Sequence, residues 1–130
     1  MMQDLCKMTE EDAKENRELD CNIAEKLFGL KLYYGPSVYG NWMPQDDGYD
    51  CYASNISYYS TDYRHIQLLI NTILNKIGDL RFDLTSQNSV VQIFSPSRGN
   101  MMIADVEGDS LQRTLCIAVL EAIEKLEELE

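Results

Sequence analysis

The chain is poor in several things that would have assigned it a chemistry. It has one histidine and four cysteines in 130 residues. Cys6, Cys21, Cys51 and Cys116 stand 15, 30 and 65 positions apart, so no CxxC pair suggests a zinc knuckle or a redox dithiol. His65 alone cannot anchor a histidine metal site, and no HExxH or paired DxD run supplies one, so neither metal nor cofactor is expected. No G-x-S-x-G elbow, P-loop or GxGxxG occurs, and a non-catalytic role is the expectation. No apolar run approaches the roughly 20 residues of a membrane span. The start of the sequence, MMQDLCKMTEEDAKENRELD, is acidic and lacks the apolar core of a secretory signal, so the expected location is the cytoplasm. Basic residues are outnumbered 22 to 11, a net charge of −11, which disfavours a grip on DNA or RNA phosphates.

What is present is ordinary globular material: 45% hydrophobic and 25% charged residues, at a length suited to a single domain spanning 1–130. Cap-like Thr9 and the acids Glu10, Glu11 and Asp12 precede Leu19, Ile23, Ala24, Leu27 and Phe28 at helical spacing, with Gly29 as the stop. Residues 30–58 read as a long irregular excursion, with turn formers at Gly35-Pro36, Gly40-Asn41 and Asp46-Asp47-Gly48. Ser60-Thr61-Asp62 then caps a second helix whose apolar stripe runs Ile66, Leu69, Ile70, Ile73, Leu74 and Ile77 to Gly78. Leu80, Phe82 and Leu84 alternate with polar residues as in a half-exposed strand. The segments 89–94 and 101–106 are apolar on both parities, which predicts strands with both faces covered. Gly108-Asp109-Ser110 opens a last helix carrying Leu111, Leu115, Val119, Ala122, Leu126 and Leu129. Strands joined by turns this short must be antiparallel. The expected fold is α+β: a three-layer α-β-α sandwich with a small antiparallel sheet covered by helices and a long Tyr-rich loop.

ELDCNIAEKLFG at 18–29, YYSTD at 58–62, VQIF at 91–94 and ADVEGDSLQRTLCIAVLEAIE at 104–124 together resemble a family of small bacteriophage α-β-α sandwich domains. The resemblance covers about two thirds of the chain in the same order; the Tyr-rich loop aligns with nothing. Within or next to that family lie the anti-Thoeris signal sponges. The resemblance implies a phage anti-defence protein in the host cytoplasm that sequesters cyclic ADP-ribose isomers, or cyclic oligonucleotides, without cleaving them. It transfers no individual contact residue.

The chain's own chemistry can be tested against that role, which needs aromatic planes for bases and fixed donors for a pyrophosphate. All eight tyrosines and Trp42 fall within residues 33–63. These rings suit base stacking, and equally a loop core or a subunit interface. Nine such rings within 31 residues also predict a homo-oligomer, a dimer or higher. Two helix starts carry a nearby arginine, at Ser60-Thr61-Asp62-Tyr63-Arg64 and at Asp109-Ser110-Leu111-Gln112-Arg113, where amide donors and a guanidinium could meet phosphate, or where Asp62 or Asp109 simply caps its helix and the arginines are solvated or pair with carboxylates. The turn with Arg98 and Asn100 is a third possible anion site. Candidate ligand contacts are therefore Arg113, Arg64, Tyr59, Ser60, Arg98, Asn100, Tyr63, Trp42 and Phe82. The alternative readings are an acidic protein-interaction inhibitor or DNA mimic, favoured by the net charge, and an accessory domain with no small ligand.

Overall fold

The computed structural model describes residues 10–35 and 48–130. The cap expected at Thr9, the turns at Gly40-Asn41 and Asp46-Asp47, and Trp42 lie outside the described residues.

Helix α1 (Glu10–Lys26) opens on three carboxylates in its first turn, where the exposed amide ends favour negative charge. It closes at Gly29, which takes φ 70°, a region open to glycine at no steric cost. That bend returns the Leu30 amide to the Ala24 carbonyl at 3.0 Å and the Phe28 amide to Ile23 at 3.3 Å. Two short parallel strands follow, β1 (Leu32–Tyr33) and β2 (Cys51–Tyr52), paired Leu32 to Cys51 and Tyr33 to Tyr52. Two-residue strands give no measurable period, so a sequence that reads as irregular here hides an ordered bridge.

Helix α2 (Ile66–Lys76) is preceded by a 3-10 turn (Tyr63–His65) that Asp62 caps through the Arg64 amide. The chain then passes Gly78, where a Cβ would overlap the carbonyl oxygen of Phe94; only glycine lets the helix exit lie this close to the sheet. Strands β3 (Asp79–Leu84), β4 (Ser89–Ser95) and β5 (Met101–Gly108) form an antiparallel meander in the order β3-β4-β5. Helix α3 (Leu111–Leu129) returns along β4 and β5, its first turn capped by the Ser110 hydroxyl accepting from the Arg113 amide.

The fold is therefore α+β, with a small antiparallel sheet, as the pattern indicated. The layering differs from a sandwich. On β4, Ser89, Val91, Ile93 and Ser95 are buried, while Val90, Gln92 and Phe94 between them are only half-buried. Val91 and Ile93 share one core with Leu115, Ala118, Val119 and Ala122 of α3, Leu19, Ile23 and Ala24 of α1, and Leu69 and Ile73 of α2; Val90 and Phe94 lie outside it. The helices thus pack on one face. The other carries Arg81, Asp83, Gln92, Asp105 and Glu107, aligned by the pairs Arg81 to Gln92, Gln92 to Asp105 and Val90 to Glu107.

The apolar run in β5 that suggested two covered faces has another cause. A bulge between Ile93 and Phe94 pairs Ile93 with Ala104 and Phe94 with Met102, so Ile103 is an extra residue, and Ile103 and Ala104 are both buried. Each fully buried Leu or Ile in this core contributes on the order of 1.5–3 kcal/mol.

Candidate functional site

The first candidate region is where the segment before α2 meets the start of α3. The Gln112 side-chain amide donates to the Tyr59 carbonyl at 2.7 Å and also to that of Asp62, so the two arginine-bearing starts are neighbours. Each guanidinium, however, already pairs with a carboxylate of the chain, although the buried Nε of Arg113 has no hydrogen-bond partner among the described residues. Arg64 makes a fork onto Asp62, with Nη2 to Oδ2 at 2.6 Å and Nε to both oxygens at 3.0 Å. That guanidinium holds the Asp62 carboxyl down at about 2. Arg113 Nη2 reaches Glu15 at 3.2 Å across to α1.

Tyr59 and Ser60 are committed to the core. The Tyr59 ring stacks on Phe28 with centroids 5.0 Å apart. The Ser60 amide donates to Asp20 at 2.7 Å, and its hydroxyl to the Asn16 carbonyl at 3.2 Å. Tyr63 and the Arg64 side chain are each 78% exposed. Arg98 and Asn100 sit in the β4–β5 turn, at the opposite end of the sheet from the β5–α3 junction where Arg113 lies. Phe82 is on the edge strand β3, 36% exposed. The eight candidates among the described residues therefore do not converge on one site.

A different set of residues does converge. Lys14, Arg17, Glu18, Cys21 and Asn22 fall at spacings of three and four along α1, one stripe of that helix. With Tyr34 from the end of β1 and Ala53 and Ser54 after β2, they line an open groove of about 680 Å³. Tyr34 is 63% exposed, and its hydroxyl donates to Glu25 at 2.9 Å, which fixes the ring at the groove edge. Burial of the phenol, reinforced by the Glu25 carboxylate, raises its proton affinity above the ordinary tyrosine value.

Arg17 organises the groove wall. Its Nη1 donates to Asp20 at 2.9 Å and to the Ser57 carbonyl at 3.4 Å; its Nη2 donates to Ser54 at 3.3 Å and Ile56 at 2.9 Å. The Tyr58 ring lies on the guanidinium, 3.9 Å from carbon to centroid. Three carbonyls of an otherwise irregular segment are thus satisfied by one planar fork, a geometry lysine cannot supply. The Cys21 thiol in the wall is pushed up by burial, partly offset by Arg17, and burial raises Cys51 as well and takes Cys116 to about 12. These thiols stay protonated near neutral pH, the inert form.

Sequence reasoning missed this groove. The stripe 14, 17, 18, 21 and 22 was visible as spacing, but it reads as the solvated side of α1 until Tyr34 and Ser54 are placed against it. Among the described residues, no helix is long and apolar enough to cross a membrane. The chain matches no protein-family model, no curated protein and no solved structure.

Proposed function

We propose that this chain is a binding protein that sequesters a small phosphate-bearing, base-containing ligand of the cyclic-nucleotide class without cleaving it, seated in the α1 groove. Such a ligand needs an accessible aromatic plane and a cation, and the groove combines Tyr34, 63% exposed and held by Glu25, with Lys14, which lines it from α1. That combination carries the reading. The base stacks on Tyr34, Lys14 meets the phosphate, and Arg17 acts as scaffold, since its donations go to Asp20 and three carbonyls. The sequence resemblance adds the biological context of a phage protein that soaks up a host immune signal such as a cyclic ADP-ribose isomer.

The test is calorimetry and thermal denaturation with cyclic ADP-ribose isomers and cyclic oligonucleotides. A ligand at a hundredfold excess over its dissociation constant adds about 2.7 kcal/mol of stability. Tyr34→Ala should weaken binding by about 1–3 kcal/mol, the usual contribution of one base–aromatic stack. Ligand released by heat should be chemically unchanged. Failure of every cyclic nucleotide to bind at a hundredfold excess over the protein, or Tyr34→Ala and Lys14→Ala both within twofold of the parent, removes the proposal.

A second reading has its own observation. The open sheet face carries Asp83, Asp105 and Glu107 around a single Arg81, which suits an acidic inhibitor of a basic protein groove. Partner binding that falls steeply with salt, and is lost on neutralising Asp105 and Glu107, would favour it.

A further inference from the structure

Strand β3 is an edge: among the described residues it pairs only with β4, and its outer side meets no other strand. We propose that two copies of this chain pair β3 to β3, antiparallel about a two-fold axis through Phe82, to make one continuous six-stranded sheet. This interface is independent of the α1 groove.

The backbone sets which groups are available. The Thr85 amide donates to the Asn88 carbonyl at 2.9 Å, so this pair is a hydrogen-bonded one. Hydrogen-bonded and non-bonded pairs alternate along an antiparallel ladder, which turns the amides and carbonyls of Leu80, Phe82 and Leu84 toward the free edge. A partner strand must therefore place its own bonding residues opposite these three.

The side chains then choose the register. A two-fold axis perpendicular to the sheet keeps the helix side on the helix side, so only residues of equal parity can face each other. With the axis at Phe82, Phe82 meets its own copy, Leu80 meets Leu84, and Arg81 meets Asp83 twice on the open face. Sliding to the neighbouring allowed register in one direction sets Arg81 against Arg81 and Asp79 against Asp83. Sliding in the other sets Asp83 against Asp83. Like charges directly opposite destabilise a strand pair and opposite charges support it. One register therefore satisfies the charges, the outward amides and the exposed apolar side chains together.

Exposure agrees with that choice. Phe82 is 36% and Leu84 55% exposed on the helix side of β3, beyond the cover that α3 gives β4 and β5. An edge bearing large apolar side chains invites pairing. The other edge, β5, offers no such match: its open-face charges are Asp105 and Glu107 only, so self-pairing would bring acid toward acid. Two paired edge strands make a small interface of the transient class, and the dimer is expected to form in the micromolar range.

The experiment is sedimentation velocity on the full chain at loadings from about 1 to about 100 μM, a range set by that interface class, with circular dichroism to confirm folding. Arg81→Asp sets carboxylate against carboxylate at both copies of the pair with Asp83 and should weaken dimerisation at least tenfold. The double exchange Arg81→Asp with Asp83→Arg restores the complementary pairs and should return the parental dimer. Both side chains lie on the exposed strand, so neither change removes a core contact. A monomer across the whole range, a dimer indifferent to Arg81→Asp, or a double exchange no better than the single one would each overturn the proposal.

Discussion

Asp20 is fully buried, and its carboxylate ties its own helix to the segment before α2: it accepts from Arg17 at 2.9 Å and from the Ser60 amide at 2.7 Å. Replacing it with alanine leaves the Ser60 amide buried without an acceptor, worth about 1–3 kcal/mol. It also breaks a buried ion pair, for which removal of one partner costs about 3–5 kcal/mol. The two costs overlap, and the Arg17 side chain is 25% exposed, so water relieves part of its loss. About 3 kcal/mol is the resulting expectation for Asp20→Ala, near the lower end of the buried-pair range. At this chain length that corresponds to a fall in Tm of roughly 9–15 °C. Asp20→Asn keeps an oxygen for Ser60 but turns an NH2 donor toward Arg17 Nη1, losing that charge-assisted hydrogen bond, so it should cost about 1.5–3 kcal/mol. Arg17→Met should be at least as damaging as Asp20→Ala, because it strands a buried carboxylate and frees three carbonyls at once. Urea denaturation of the three variants measures the series. A cost below about 1 kcal/mol for Asp20→Ala, or an Arg17→Met variant milder than it, refutes the idea that this clasp holds the 54–60 segment on α1.

Gly78→Ala should destabilise by about 1–3 kcal/mol through overpacking against the Phe94 carbonyl, read as a lower urea midpoint at unchanged slope. The Asp62 carboxyl is held at about 2 in the fold, chiefly by the Arg64 hydrogen bonds, against an ordinary 3.8. Since the folded value is the lower one, its stabilisation is complete above about pH 4 and is lost as pH falls through about 2. Asp62→Asn should therefore lower Tm at neutral pH and converge with the parent below about pH 2; curves that stay parallel throughout contradict that pairing.

The three helices and the meander were legible because they are local. The α2 stripe repeats every three to four residues, and of it Leu69 and Ile73 are fully buried. Ser110 and Asp62 cap their helices as their side chains allow. By contrast, whether Arg64 and Arg113 face a ligand or a carboxylate depends on what lies across from them, and Glu15, the partner of Arg113, is 98 positions away. The tyrosines divided in the same way: Tyr52 and Tyr59 went into the core and Tyr34, Tyr58 and Tyr63 stayed exposed, although one composition describes them all.

Sequence alone determined the α+β class, the order of the three helices and the three meander strands, and the antiparallel sense of that meander, because periodicity, capping and loop length act over a few residues; the parallel bridge of β1 and β2 was not legible. Only the tertiary structure decided that the helices share one face of the sheet, since a bulge at Ile103 shifts side-chain parity without leaving a mark on composition. Only it assembled the groove, because Lys14, Tyr34 and Ser54 are brought together by Arg17 and Asp20 reaching carbonyls and an amide some 40 positions along the chain. Long-range contacts of that kind depend on where the whole backbone runs, which no window of sequence contains.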